Sequence, residues 1–184
     1  KARFFFAMGG NFVAATPDTE VTEAALRNCE LTVQVSTKLN RSHVVHGRTA
    51  LILPTLGRSD LDTSNGRKQH VSVEDSMSMV HASSGKLKPG SPELRSEPAI
   101  VAAMAMATLP ESNVDWLSLV ADYDRIRDLI EQTIPGFDQY NQRIRHPGGF
   151  RMPLPPTERI WPTPTGKAMF SVFHGVHENQ QVAG

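Results

Sequence analysis

Cysteine is almost missing from this sequence: Cys29 stands alone among 184 residues. No disulfide can therefore close within the chain, and the expected compartment is the reducing cytoplasm. In that setting the sequon Asn40-Arg41-Ser42 is read as accidental. Long hydrophobic runs are scarce too. The longest, from Ala99 to Leu109, is well short of the roughly 20 apolar residues that span a bilayer. No basic leader with an apolar stretch and a small-residue cleavage site is present, so no membrane partner is expected. Excess charge of either sign is also lacking, because 19 Lys and Arg balance 19 Asp and Glu. Phosphate backbones are bound by clustered cations, which argues against a nucleic-acid partner. There is no internal repeat, no low-complexity tract and no Gly-x-Gly-x-x-Gly fingerprint.

What is present begins with Arg3-Phe4-Phe5-Phe6-Ala7-Met8-Gly9-Gly10-Asn11, an apolar run stopped by two glycines and an amide. Such a run predicts a fully buried strand. Ligands of open parallel sheets bind beyond the carboxyl ends of the strands, which points to Gly9, Gly10 and Asn11. A helix start follows at Thr16-Pro17-Asp18, with Val21, Ala24, Ala25 and Leu26 facing inward and the helix running to about Cys29. Leu31-Thr32-Val33-Gln34-Val35 predicts a second strand ending at Ser36-Thr37-Lys38. After about a dozen residues Ala50-Leu51-Ile52-Leu53 predicts a third, stopped by Pro54. Strand, helix, strand, short crossover, strand reads as a parallel, doubly wound α/β unit of Rossmann-like type with flanking helices. Its three strand ends bring Gly9-Gly10-Asn11, Ser36-Thr37-Lys38 and Pro54-Thr55-Leu56-Gly57 to one rim.

Farther on, Asn65-Gly66 signals a turn, and His70–Val73 and Met77–Val80 predict two short extended segments around Glu74-Asp75. Residues 82–98 predict a surface loop long enough to hint at function. Ser96-Glu97-Pro98 opens a helix that is apolar nearly all round, which predicts burial. Asn113 is expected to cap one longer helix through Ile134, its Asp122, Asp124, Arg125, Arg127, Asp128 and Glu131 forming a solvated face. A short helix is expected over 138–144. Residues 146–184 read as a Pro- and Gly-rich linker leading to a strand at Lys167–Phe173 that serves a following domain, which leaves 1–145 as the α/β domain. The chain begins one or two residues before a core strand, so the expectation is a piece of a longer polypeptide.

Catalytic machinery is hard to find. Gly9-Gly10-Asn11 serves equally as a ligand loop or a tight turn. His43 with His46 and His174 with His177 have metal-ligand spacing but no third ligand, which argues against a metal site. Glu74-Asp75 reads as a solvated pair and Cys29 as buried and inert. No Ser-His-Asp arrangement is readable.

Taken in order, Met8-Gly9-Gly10-Asn11, Glu30-Leu31-Thr32-Val33-Gln34-Val35, Ala50-Leu51-Ile52-Leu53-Pro54 and Pro164-Thr165-Gly166-Lys167-Ala168-Met169-Phe170 carry a resemblance over nearly the whole chain. The set resembles the later-middle part of the large molybdopterin oxidoreductases of the formate dehydrogenase and dimethyl sulfoxide reductase type. Thr37–His43, Leu53–Arg58 and Val73–Met79 look like the formate-dehydrogenase-related subfamily, whose substrate is poorly defined.

This resemblance implies the α/β domain that holds the guanosine end of one of two molybdopterin guanine dinucleotides. It implies cofactor contacts at Gly9, Gly10, Asn11, Ser36, Thr37, Lys38, Asn40, Arg41 and Ser42, with no catalytic or metal-binding residue in the chain itself. Many relatives carry an acidic residue where Ser36 stands. The molybdenum ligand and any iron–sulfur cysteines would lie upstream, and Cys29 matches neither. The implied partners are the rest of the parent polypeptide and an electron-transfer partner of unknown identity. The alternative is a non-catalytic α/β module that binds a nucleotide or a protein, the latter through the 82–98 loop.

Overall fold

The computed structural model describes residues 2–63 and 66–171. Three parallel strands, β1 (Phe4–Met8), β2 (Leu31–Ser36) and β3 (Thr49–Pro54), form one sheet in the order β1-β2-β3. Phe4 pairs with Leu31 and Met8 with Val35, while Leu31 pairs with Thr49 and Ser36 with Pro54. All three carboxyl ends therefore meet along one edge. Between β1 and β2 run the short helix α1 (Phe12–Ala15) and α2 (Thr19–Arg27). Asp18 caps α2 by accepting from the Val21 N–H, with Glu20 in the first turn and Arg27 in the last, as the helix dipole favours. The β2–β3 crossover carries only a 3-10 turn at Arg41–His43. The fold is α/β.

The first strand departs from expectation. It is an edge strand, and Phe4 is 52% exposed. The centre belongs to β2, whose Thr32, Val33, Gln34 and Val35 are all buried. Strand order decides this: a middle strand has neighbours on both edges, whereas β1 has one. Val13, Leu26 and Val45 pack with Phe5 into the core on this side.

A second, antiparallel sheet contains β4 (Val71–Glu74), β5 (Met79–Ser83) and β6 (Phe150–Arg151) in that order. The β4–β5 hairpin turns at Asp75, whose carboxylate accepts from the Met77 and Met79 N–H groups at 2.8 and 3.1 Å. These two bonds hold the Asp75 carboxyl below its ordinary value. Behind this sheet Val80, Tyr140, Ile144 and Phe150 form a second core with Ile130, Phe137 and Met152.

Helix α3 (Glu97–Thr108) is not the buried rod its composition predicts. Ile100 and Ala102 are buried, while Val101, Met104 and Met106 are exposed. Only one side of it meets the described fold. The expected long helix is two: α4 (Trp116–Ala121), capped by Asp115 rather than Asn113, and α5 (Tyr123–Thr133). Asp122 breaks the run by adopting an extended conformation and accepting from the Asp124 N–H as the cap of α5. Nor is the charged face of α5 uniformly solvated, since Arg127 is 3% exposed. Arg127, Arg145 and Arg67 converge on Asp124, and Arg67 also reaches Asp122. Helix α6 is confined to Tyr140–Arg143. Over 167–171 no strand forms. Residues 172–173 of that expected strand, Asn65 of the expected turn, and His174 and His177 lie outside the described residues.

Candidate functional site

The rim at the carboxyl edge of the first sheet is built by the loops that leave β1 and β2. Gly9 and Gly10 both have φ near +70°, a conformation that costs residues with a Cβ. A Cβ at either would meet nothing within 4 Å, so it is the backbone conformation and not crowding that calls for glycine there. The Gly9 N–H donates to Val35 O at 2.8 Å, which pins the loop to the central strand. Among the described residues no acceptor meets the N–H groups of Gly10 and Asn11.

Side chains from the β2 loop reach back to the β1 loop. The Asn40 amide donates to Gly10 O at 2.8 Å, and its Oδ1 accepts from Ser42 N–H at 2.9 Å. The Ser42 hydroxyl, fully buried, donates to Asn11 Oδ1 at 3.1 Å and accepts from Val13 N–H at 3.0 Å. Ser42 O in turn accepts from the buried Gln34 amide at 3.3 Å. Gly10, Asn11, Asn40 and Ser42 thus form one connected unit, anchored in the central strand through Gln34. The His43 Nδ1 accepts from Asn40 N–H at 3.0 Å, which puts the proton of the neutral ring on Nε2. That imidazole closes a capping box. His46 directs its Nδ1 at Gly47 O, 2.7 Å away.

The other sequence-predicted residues divide in two. Arg41 is engaged away from the loop: its guanidinium donates twice to Glu23 Oε1, at 3.0 and 2.6 Å. That hydrogen bond and charge keep the Glu23 carboxyl below its ordinary value. Ser36 donates to Lys38 O at 2.7 Å and shapes its own turn. Thr37 and Lys38 are exposed and line clefts that continue toward β3.

Those clefts bring the rim residues Thr37 and Gly57 together with others that have no role assigned from the sequence, among them Arg58, Ser84 and Tyr123. One, of about 290 Å³, lies between Thr37, Gly57, Arg58, His70, Ser84 and Tyr123. The Tyr123 hydroxyl stands 2.6 Å from both Ser96 Oγ and Asp62 Oδ2, and Gln69 accepts from Tyr123 N–H at 3.1 Å. His70 and Ser84 also line a second cleft, of about 670 Å³, with His81, Arg145 and His146. Burial, reinforced by the charge of Arg127, lowers the pKa of His70. In the sequence this region was marked only by the strand end at Pro54–Gly57 and the extended segment at His70–Val73. Among the described residues no cluster of three or more His, Cys, Asp or Glu is arranged to hold a metal ion. Likewise no helix among them is long and apolar enough to cross a membrane.

Comparison with known proteins agrees with a place inside something larger. Over 170 residues the chain is 62% identical to an uncharacterized oxidoreductase of Mycobacterium tuberculosis, covering 91% of this chain and 22% of that protein. Mycobacterium bovis has a counterpart at the same identity and coverage. The chain is similar to one segment of a larger oxidoreductase. Protein YdeP of Escherichia coli is 52% identical over 183 residues, which is 100% of this chain and 24% of YdeP. The chain thus spans under a quarter of the length of the curated relatives it matches. No family model matches the sequence.

Proposed function

We propose that this chain is the cofactor-binding α/β segment of a molybdopterin-dependent, formate-dehydrogenase-like oxidoreductase. It takes the guanosine end of a molybdopterin guanine dinucleotide at the rim of its parallel sheet. The observation that carries this reading is the connected unit of Gly10, Asn11, Asn40 and Ser42 at the carboxyl ends of β1 and β2. The unit holds two unpaired backbone N–H donors in place beside left-handed glycines. Preformed donors fixed by hydrogen bonds suit an anionic, many-acceptor ligand without a reordering cost. Similarity to one segment of a larger oxidoreductase of Mycobacterium tuberculosis supports the oxidoreductase part of this reading.

In this proposal Gly10 and Asn11 offer backbone N–H groups, Thr37 and Lys38 offer side chains, and Asn40, Ser42 and Arg41 hold the loops that present them. Ser36 shapes the turn before Lys38. When bound, the molybdenum centre supplies the electron transfer; this segment contributes binding and orientation. Metal ligands, any iron–sulfur cluster, substrate contacts and the electron partner belong to the rest of the polypeptide.

The test is molybdenum and released guanine nucleotide per chain in the complete polypeptide, purified from cells that make the cofactor. About two guanosines per molybdenum is the outcome expected of a bis-dinucleotide centre. A well-folded polypeptide with neither metal nor nucleotide would overturn the reading in favour of a non-catalytic binding module.

A further inference from the structure

The hydrogen-bonded rim leaves two cations unused. Lys38 follows Thr37 in the loop after β2, and Arg58 follows Gly57 in the loop after β3. Both line one cleft of about 620 Å³ with Thr37, Pro54, Gly57 and Ser59. Among the described residues neither the Lys38 ammonium nor the Arg58 guanidinium has an ion-pair or hydrogen-bond partner, in contrast to Arg41 a few residues away, which is committed to Glu23.

The carboxylate in this cleft does not neutralise them by contact. Asp60 Oδ2 accepts from the Gly57 N–H at 2.7 Å, and Asp60 N–H donates to Gly57 O at 3.0 Å. Asp60 thereby locks the turn that carries Arg58 at its tip. A Cβ at Gly57 would lie 3.7 Å from Thr37 Cγ2, so the two loops approach closely at that point. Their next residues, Lys38 and Arg58, therefore flank the same opening. A planar fork from Arg58 and a point charge from Lys38 form the pair of donors that suits a phosphoryl oxygen cluster.

We propose that the Lys38–Arg58 cleft at the carboxyl ends of β2 and β3 is an anion subsite that takes a phosphate or pyrophosphate group. Resting on the function proposed above, that group is the pyrophosphate of the bound dinucleotide. Arg58 then becomes a binding residue alongside Lys38.

The experiment uses the complete polypeptide in its cofactor-free form, with inorganic pyrophosphate as the probe in low-salt calorimetry. Wild type is compared with Lys38→Ala, Arg58→Ala, the double variant, Arg58→Lys and Arg48→Ala, thermal melts confirming that each folds. Arg48 is an exposed arginine at the opposite end of β3 and controls for general loss of charge. Pyrophosphate affinity should fall about tenfold or more in the double variant, partly recover in Arg58→Lys and stay unchanged in Arg48→Ala. Equal binding by wild type and the double variant, or no binding by wild type, overturns the subsite. In parallel, guanine nucleotide per chain is measured on each protein as purified from cofactor-making cells. Nucleotide present in wild type and lost in the double variant assigns the subsite to the dinucleotide. Cleft-dependent pyrophosphate binding without guanine in any preparation leaves the subsite standing for a free phosphate anion and defeats the dinucleotide reading. Guanine retained in full by the double variant, with pyrophosphate binding also unchanged, defeats the subsite alone.

Discussion

The Asn40 side chain joins two loops thirty residues apart in sequence, donating to Gly10 O at 2.8 Å while its Oδ1 caps the 3-10 turn through the Ser42 N–H. One residue thus does two separable jobs. Asn40→Ala removes both and should cost about 1–2 kcal/mol of stability. Asn40→Asp keeps the capping oxygen and loses the donor to Gly10, so it should retain more stability than the alanine variant while still releasing the β1 loop. Urea midpoints combined with nucleotide content per chain separate the two effects. An alanine variant with wild-type stability would show that the cap and the Gly10 bond contribute nothing.

Ser42 is a sharper case because its hydroxyl is buried and fully used. Ser42→Ala leaves the buried Val13 N–H without its acceptor and the half-buried Asn11 Oδ1 without its donor, which should cost about 1–3 kcal/mol. Hydrogen exchange at the Val13 amide reads the loss directly. Exchange there should accelerate more than at Leu26, a core residue with no contact to the hydroxyl.

Much of this arrangement was legible in the sequence. Apolar runs ending at Gly9 and Pro54, separated by one capped helix and a short crossover, sufficed for three parallel strands with a common edge. The loops after β1 and β2 could be singled out because strand ends, glycine and short polar side chains coincide there. Other features depended on pairings that no local pattern carries. Burial of β2 rather than β1 follows from strand order. The break at Asp122 depends on a side-chain cap competing with helix continuation, and burial of Arg127 on its meeting Asp124, Asn141 and the His70 carbonyl. Arg58, singled out in the sequence only within Leu53–Arg58, received no binding role because its nearness to Lys38 arises from the close approach of Gly57 to Thr37, twenty residues apart in the chain and adjacent only once β2 and β3 pair.

Gly85 marks another such contact. A Cβ built there would fall 2.0 Å from Asp60 O and 2.3 Å from Asp60 C, both backbone atoms. The same stretch is tied across by Lys86 N–H and Leu87 N–H donating to Ser59 O, each at 2.9 Å. Gly85→Ala must push these strands of loop apart. It should destabilise the chain by about 1–3 kcal/mol and shift the Arg58 turn with it. A melting temperature equal to wild type would mean that the Ser59–Leu61 segment yields freely.

The ionic cluster behind His70 sets how stability should respond to pH. His70 has its pKa lowered in the folded chain, first by burial and then by Arg127, so the folded state favours the neutral ring. Unfolding lets it return toward its ordinary value of 6.5, and the unfolded state then binds more protons. Stability contributed by neutral His70 is complete above 6.5 and declines as pH falls from there to the folded pKa. Asp124 acts in a lower window. Burial works to raise its carboxyl, but hydrogen bonds and charge from Arg127 and Arg145 outweigh that and leave it below its ordinary value of 3.8. Its contribution is present above 3.8 and is lost as pH drops further. The two windows do not overlap near pH 6, so urea midpoints measured between pH 7 and 5 should fall with acid in wild type and fall less in His70→Gln. The loss below pH 4 should persist in His70→Gln and shrink in Asp124→Asn, measured relative to that variant's own stability at pH 7. An unchanged slope between pH 7 and 5 after His70→Gln would assign that dependence to groups other than His70.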